Sequence, residues 1–205
     1  MAQITSGLRR LLSLPSAYNL FQNAIGARRF REVYVKDYLK LTGGERVLDI
    51  GCGTSEILDF LPKDIEYTGF DLSSSYVDAA RKKYKGRGRW FCSSVEDFDC
   101  DNLGLYDLVM ANGILHHLSD SEANQLCRTA YSHMKKGGRF IAYDNCYLIK
   151  QNKVARTLIS LDRGRNVRLA EEYKSIASKS FDNVELCVRE DILRIPYSYS
   201  IIICK

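Results

Sequence analysis

The sequence predicts an α/β protein whose mostly parallel sheet carries helices on both faces. Three observations predict it. An aliphatic run, Val47 to Ile50, stops at Gly51-Cys52-Gly53 and gives way to an amphipathic stretch: strand, tight turn, helix start. Twenty-two residues after Asp49, a second strand-like run, Tyr67-Thr68-Gly69-Phe70, ends in another acid, Asp71. Beyond it, short β-rich runs keep alternating with helical periods, the pattern of parallel strands joined by crossovers.

Each element has a local reason. Residues 3–13 and about 17–41 predict two helices broken at Pro15, the second stopped by Gly43-Gly44. Strands are expected at 46–50, 66–70, 89–92, 106–111 and 138–143, and helices at 55–61, 74–85 and 120–134. Ser119-Asp120-Ser121-Glu122 has the spacing of a capping box. Lys135-Lys136-Gly137-Gly138 predicts the end of that helix, with cations at its negative pole. Ser93 to Leu105 is too short for a helix with loops. After Asp144, residues 154–161 and 167–177 predict two helices, and strands follow at 183–189 and from Tyr197 to Cys204.

Composition sets the outer bounds. A chain of 205 residues, 45% hydrophobic and 27% charged, suits one domain with a sizeable core. A net charge of +5 permits an anionic partner without proving one. Seven cysteines with no C-x-x-C pair predict reduced thiols in a cytoplasmic setting and no metal site. No apolar run reaches the roughly 18 residues that span a bilayer. Arg9, Arg10, Arg28, Arg29 and Arg31 crowd the start as in a transit peptide. Aromatics at helical spacing from Tyr18 to Tyr38 read instead as folded structure.

The glycine turn is an imperfect dinucleotide fingerprint, because Ser55 and Glu56 follow where a third glycine would stand. The wider constellation is more specific. Asp49-Ile50-Gly51-Cys52-Gly53, Phe70-Asp71-Leu72-Ser73, Tyr106 to Ala111, Leu115-His116-His117-Leu118 and Lys135 to Phe140 occur in order over about residues 45–145. Together they resemble the class I methyltransferases that use S-adenosyl-L-methionine and release S-adenosyl-L-homocysteine, in particular their small-molecule types. The resemblance implies a Rossmann-like, seven-stranded, mostly parallel sheet with an antiparallel last strand. It divides one domain, 1–205, into capping helices (1–42), a cofactor-binding core (45–145), a substrate lid (146–181) and a C-terminal hairpin (182–205).

The resemblance also implies roles. Asp49 would hold the cofactor's amino group, and Gly51, Cys52 and Gly53 would pass beneath it; a plain strand–helix turn is the structural alternative. Asp71, with Leu72 beside it, would accept the ribose hydroxyls, or else cap the next helix. Ser94 stands where the family often has an acid facing adenine, and Val95 would offer its amide. Ala111 and Asn112 would line the sulfonium end. Tyr18 and Arg29 would reach over from the N-terminal helices.

On the acceptor side, His116 or His117 is the candidate general base, since a neutral imidazole takes a proton near pH 7. Two adjacent histidines in a turn are expected to face different ways. In the lid, Tyr147, Arg163 and Arg165 are candidate substrate residues, suited to an anionic group; a solvated charged loop is the alternative. The expected acceptor is a small or medium organic molecule, methylated at oxygen, nitrogen or carbon. Nucleic acid is disfavoured: no aromatic-rich binding module is present, and Ala111-Asn112-Gly113-Ile114 replaces the Asn-Pro-Pro-Tyr signature. RNA methylation, protein methylation and a non-catalytic cofactor-binding subunit stay open as alternatives, and oligomeric state is not legible.

Overall fold

The computed structural model describes residues 26–98, 104–162 and 164–205. The helix expected over 3–13, Tyr18, Cys100 and Arg163 lie outside them. The strands are β1 (Arg46–Ile50), β2 (Glu66–Asp71), β3 (Gly88–Cys92), β4 (Tyr106–Asn112), β5 (Met134–Asn145), β6 (Val184–Arg189) and β7 (Tyr199–Cys204). The α-helices are α1 (Ala27–Tyr34), α2 (Ser74–Lys83), α3 (Asp120–Ser132), α4 (Lys153–Ser160) and α5 (Ala170–Ala177). One sheet runs β3-β2-β1-β4-β5-β7-β6. Only β7 is antiparallel to its neighbours. The order reverses between β1 and β4, and open α/β sheets bind ligands at the carboxyl ends of such strands.

Alternation along β1 divides the core. Leu48 and Ile50 pack with Leu126 of α3 and Tyr173 of α5. Val47 packs on the other face with Tyr34 of α1 and Val77 of α2. The ring of Phe30 in α1 lies 4.6 Å from Tyr143 and 4.5 Å from Tyr199, so this helix crosses β5 and β7. Arg31 then pairs with Glu56 at 3.0 Å, tying α1 to the loop after β1.

Two expectations need correction. The helix at 55–61 is a single 3-10 turn, Glu56–Asp59. Ser55 enters it in the left-handed region at φ 56, and Pro62 closes the segment, leaving room for one turn. The Lys135–Gly138 segment is not a helix end. α3 stops at Ser132, and those residues form an irregularity in β5, where Tyr106 pairs with Met134 but Leu108 with Arg139. Lys135 lies 2.8 and 2.9 Å from the Asp107 carboxylate, so it answers a side chain rather than a helix dipole. The capping box forms as expected, with Glu122 accepting from the Ser119 amide at 2.7 Å.

Candidate active site

The loops after β1, β2, β3 and β4 line an open cleft. Phe70, Leu72, Val95, Ile114 and Leu118 give it apolar walls, and Asp71, Glu96 and Glu122 give it negative charge. No lysine or arginine lines it among the described residues. Gly51 forms the floor at φ 71, and a Cβ there would stand 2.3 Å from Ile114 Cδ1. A side chain at this position would therefore push into the cleft wall as well as strain the backbone.

Asp71 caps no helix itself. Its two oxygens accept from the Gly53 amide at 3.0 Å and the Ser73 amide at 2.8 Å, and Ser73 caps α2. Each oxygen keeps a second lone pair for a hydroxyl donor.

Asp49 is buried at the end of β1. Its Oδ2 accepts from the Tyr67 hydroxyl at 2.7 Å, while Oδ1 has no hydrogen-bond partner. The Tyr67 hydroxyl also lies 3.1 Å from Ser55 Oγ, which accepts the Trp90 indole N–H at 2.8 Å. Burial raises the Asp49 carboxyl to about 7, against the Tyr67 bond and with a small push from Asp71. A buried carboxyl with one unused oxygen suits an ammonium donor. No α-helix begins behind Asp49, because a 3-10 turn stands where the helix was expected.

His116 sits between two carboxylates. Nδ1 lies 2.5 Å from Asp144 Oδ1, and Nε2 lies 3.1 Å from Asp162 Oδ1 in the lid. Burial opposes the imidazolium, but the Asp144 charge and hydrogen bond, with Asp162, outweigh it and hold the pKa at about 10. Burial would raise Asp162 too, yet the bond and charge of His116, the Gly164 amide and His117 draw it down to about 2. Both ring nitrogens thus face carboxylates, an arrangement that favours the charged ring over a free base. The two histidines do not diverge either. Their ring centroids are 3.9 Å apart.

The structure gathers Gly51, Asp71, Leu72, Ser94 and Val95 on the cleft. Gly53 reaches it through Asp71. Cys52 turns away, packing so tightly on β2 that a Cβ on Gly69 would come within 2.9 Å of it. Burial pushes its thiol well up, which excludes a nucleophile. Ala111 is core, while the Asn112 amide is buried at the end of β4 with neither polar atom bonded. Arg29 is exposed, and the charge it acts on is Asp191 in the β6–β7 loop. Tyr147 leads into the lid with Arg156 stacked 5.0 Å over its ring, and Arg165 is exposed beside Gly164. Arg168 is buried, bonding the carbonyls of Leu115 and Leu118 and the Asp120 carboxylate. It serves the lid's anchorage rather than a substrate. Tyr67, Trp90 and Ser55 were not foreseen as site residues. Their signal is long-range, since no motif spacing links an indole on β3 to a carboxylate on β1.

A family model described as "Methyltransferase domain" matches residues 48–140. Carboxy-S-adenosyl-L-methionine synthase of Campylobacter curvus is 27% identical, over 74% of this chain and 63% of that protein. Ubiquinone biosynthesis O-methyltransferase of Vibrio parahaemolyticus is 29% identical, over 46% of this chain and 41% of that one. The chain thus spans between about two fifths and two thirds of the length of these two relatives. Among solved structures, the S-adenosylmethionine-dependent methyltransferase SibL superposes with TM-score 0.73 at 18% identity, over 96% of this chain and 60% of that one. The mitomycin 7-O-methyltransferase MmcR gives 0.66 at 19%, over 98% and 61%. At such identities these two show the fold.

Proposed function

We propose that this chain, which belongs to the class I S-adenosylmethionine-dependent methyltransferases, methylates a small or medium organic acceptor. The observation that carries the reading is the unpartnered Oδ1 of buried Asp49 beside an acid-lined cleft. S-adenosylmethionine is the cofactor, and when bound it supplies an electrophilic methyl on a sulfonium. Asp49 would accept its ammonium and Asp71 its ribose hydroxyls. Leu72, Val95 and Ile114 would flank the adenine. Asp71, Glu96 and Glu122 give the cleft the opposite sign to a sulfonium, so the protein holds the charged cofactor better than an uncharged thioether.

On the acceptor side, His117 takes over as the proposed base for a hydroxyl or other acidic proton, with His116 fixed as a charged neighbour. Arg163 and Arg165, with Tyr147, are proposed to meet an anionic group on the acceptor, since the lid is basic and Arg168 is already engaged. The test is incubation with methyl-labelled cofactor and an extract of the source cell. Label in small molecules supports the reading. Label in RNA or protein replaces the acceptor class, and tight cofactor binding with no transfer replaces catalysis by a scaffold role.

A further inference from the structure

We infer that the outer edge of the lid, residues 149–161, docks on an anionic lipid surface and presents the acceptor side of the cleft to it. The helix α4 is apolar over a wider arc than the described residues cover. Ala155 and Ile159 face inward and are buried. Val154, Leu158 and Leu161 recur at i, i+4 and i+7 on an adjoining stripe. Of these, Val154 is 54% exposed and Leu161 56%, and Ile149 just ahead of the helix is 92% exposed. Apolar side chains grouped like this in water mark an interaction site.

Charge selects the partner. Between Cys146 and Leu161 the chain carries Lys150, Lys153 and Arg156 and no acid, and all three cations are exposed. Apolar residues beside unopposed lysine and arginine suit the headgroup boundary of an anionic leaflet. A second copy of this chain fits poorly, because a self-complementary contact would set these cations against themselves. Position agrees with the assignment. The segment leaves the carboxyl end of β5, on the edge that holds the cleft. Gln151 ties one end to the Cys146 carbonyl and Ser198 Oγ, both at 3.0 Å, and Asp162 ties the other to His116. A surface pinned at both ends would hold the cleft mouth at a fixed attitude to the bilayer. The inference rests on the proposed acceptor side only for its purpose; the surface can be tested without any acceptor.

The experiment is co-sedimentation of the full chain with phosphatidylcholine vesicles, with and without about 30% phosphatidylserine. Binding at least tenfold stronger to the anionic vesicles, and lost in high salt, is expected. Lys150→Glu/Lys153→Glu and Ile149→Ser/Val154→Ser should each weaken it at least tenfold, with S-adenosylmethionine affinity by calorimetry unchanged. Equal binding to both vesicles, no binding by a protein that still takes up cofactor, or binding that survives both double variants would overturn the inference. So would an apolar variant whose change appears in light scattering as loss of an oligomer. Loss of cofactor affinity in the wild-type chain would count against the proposed function, not against the surface.

Discussion

Asp71 and Asp49 are the two residues proposed to hold the cofactor, and each carries its own test. Asp71→Ala removes two acceptors whose charge-assisted bonds are worth about 1.5–3 kcal/mol each. S-adenosylmethionine affinity should fall at least tenfold by calorimetry in a folded variant, and unchanged affinity would remove Asp71 from the site. Asp49 must be ionised to receive an ammonium, yet burial holds it near 7. Affinity should therefore weaken as pH falls below about 7, approaching tenfold per unit, and Asp49→Asn should bind weakly with a flat profile. His116 answers to stability instead. Its folded pKa of about 10 lies above the ordinary 6.5, so its contribution is full below about 6.5 and is lost as pH rises toward 10. Melting experiments should show that decline in the wild type and not in His116→Gln, which itself loses roughly 3–5 kcal/mol because Asp144 is left buried and unpaired. His117→Asn should lower kcat by about 10²–10⁴. Two variants of normal turnover would leave both rings structural.

At the scale of elements, the loop after β1 shows how one residue answers two demands. In a dinucleotide fingerprint a further glycine just past this turn lets a helix pack closely on the strand. Here no α-helix follows, so a side chain fits, and Ser55 uses it to join Trp90 and Tyr67 behind Asp49. Its left-handed backbone costs roughly 1 kcal/mol or more. Ser55→Gly would relieve that strain but leave the buried Trp90 N–H without its acceptor, a loss of about 1–3 kcal/mol. The hydrogen bond should win, so the variant should melt lower and bind cofactor more weakly. A higher Tm would mean that the strain is the larger effect. The loop is thus preorganised by side chains on three strands rather than by a helix terminus.

For the whole molecule, the segment proposed as a lid and the sheet core are joined at a few strong points. Asp162 bonds His116, the Asn166 amide donates to the His116 carbonyl at 2.9 Å, and Arg168 bonds the carbonyls of Leu115 and Leu118. These anchors lie along the turn after β4, whose Ile114 and Leu118 line the cleft. Arg165 stands on the held segment without belonging to the anchorage. Arg165→Ala should raise KM for an anionic acceptor while S-adenosylmethionine Kd stays within about twofold, roughly 0.4 kcal/mol. Crippled cofactor binding with an unchanged KM would assign this segment to the other ligand.

The sequence by itself determined the sheet, because alternation, β-branching and glycine punctuation are local properties. Arg46–Ile50, Glu66–Asp71 and the Ser119 capping box stand where those patterns place them. The cofactor class came with the resemblance, which the ordered motifs from Asp49 to Phe140 carry. What only the tertiary structure decided is what each polar side chain meets. The Lys135–Gly138 segment reads as a helix end in isolation, but Asp107, 28 residues away, claims Lys135 for the sheet. His116 reads as a base until Asp144 from β5 and Asp162 from the lid close on it. Arg168 is held by the Leu115 and Leu118 carbonyls of the β4 turn, about 50 residues away in the chain. Backbone geometry is set by neighbours in sequence, whereas charge state and hydrogen bonding are set by neighbours in space.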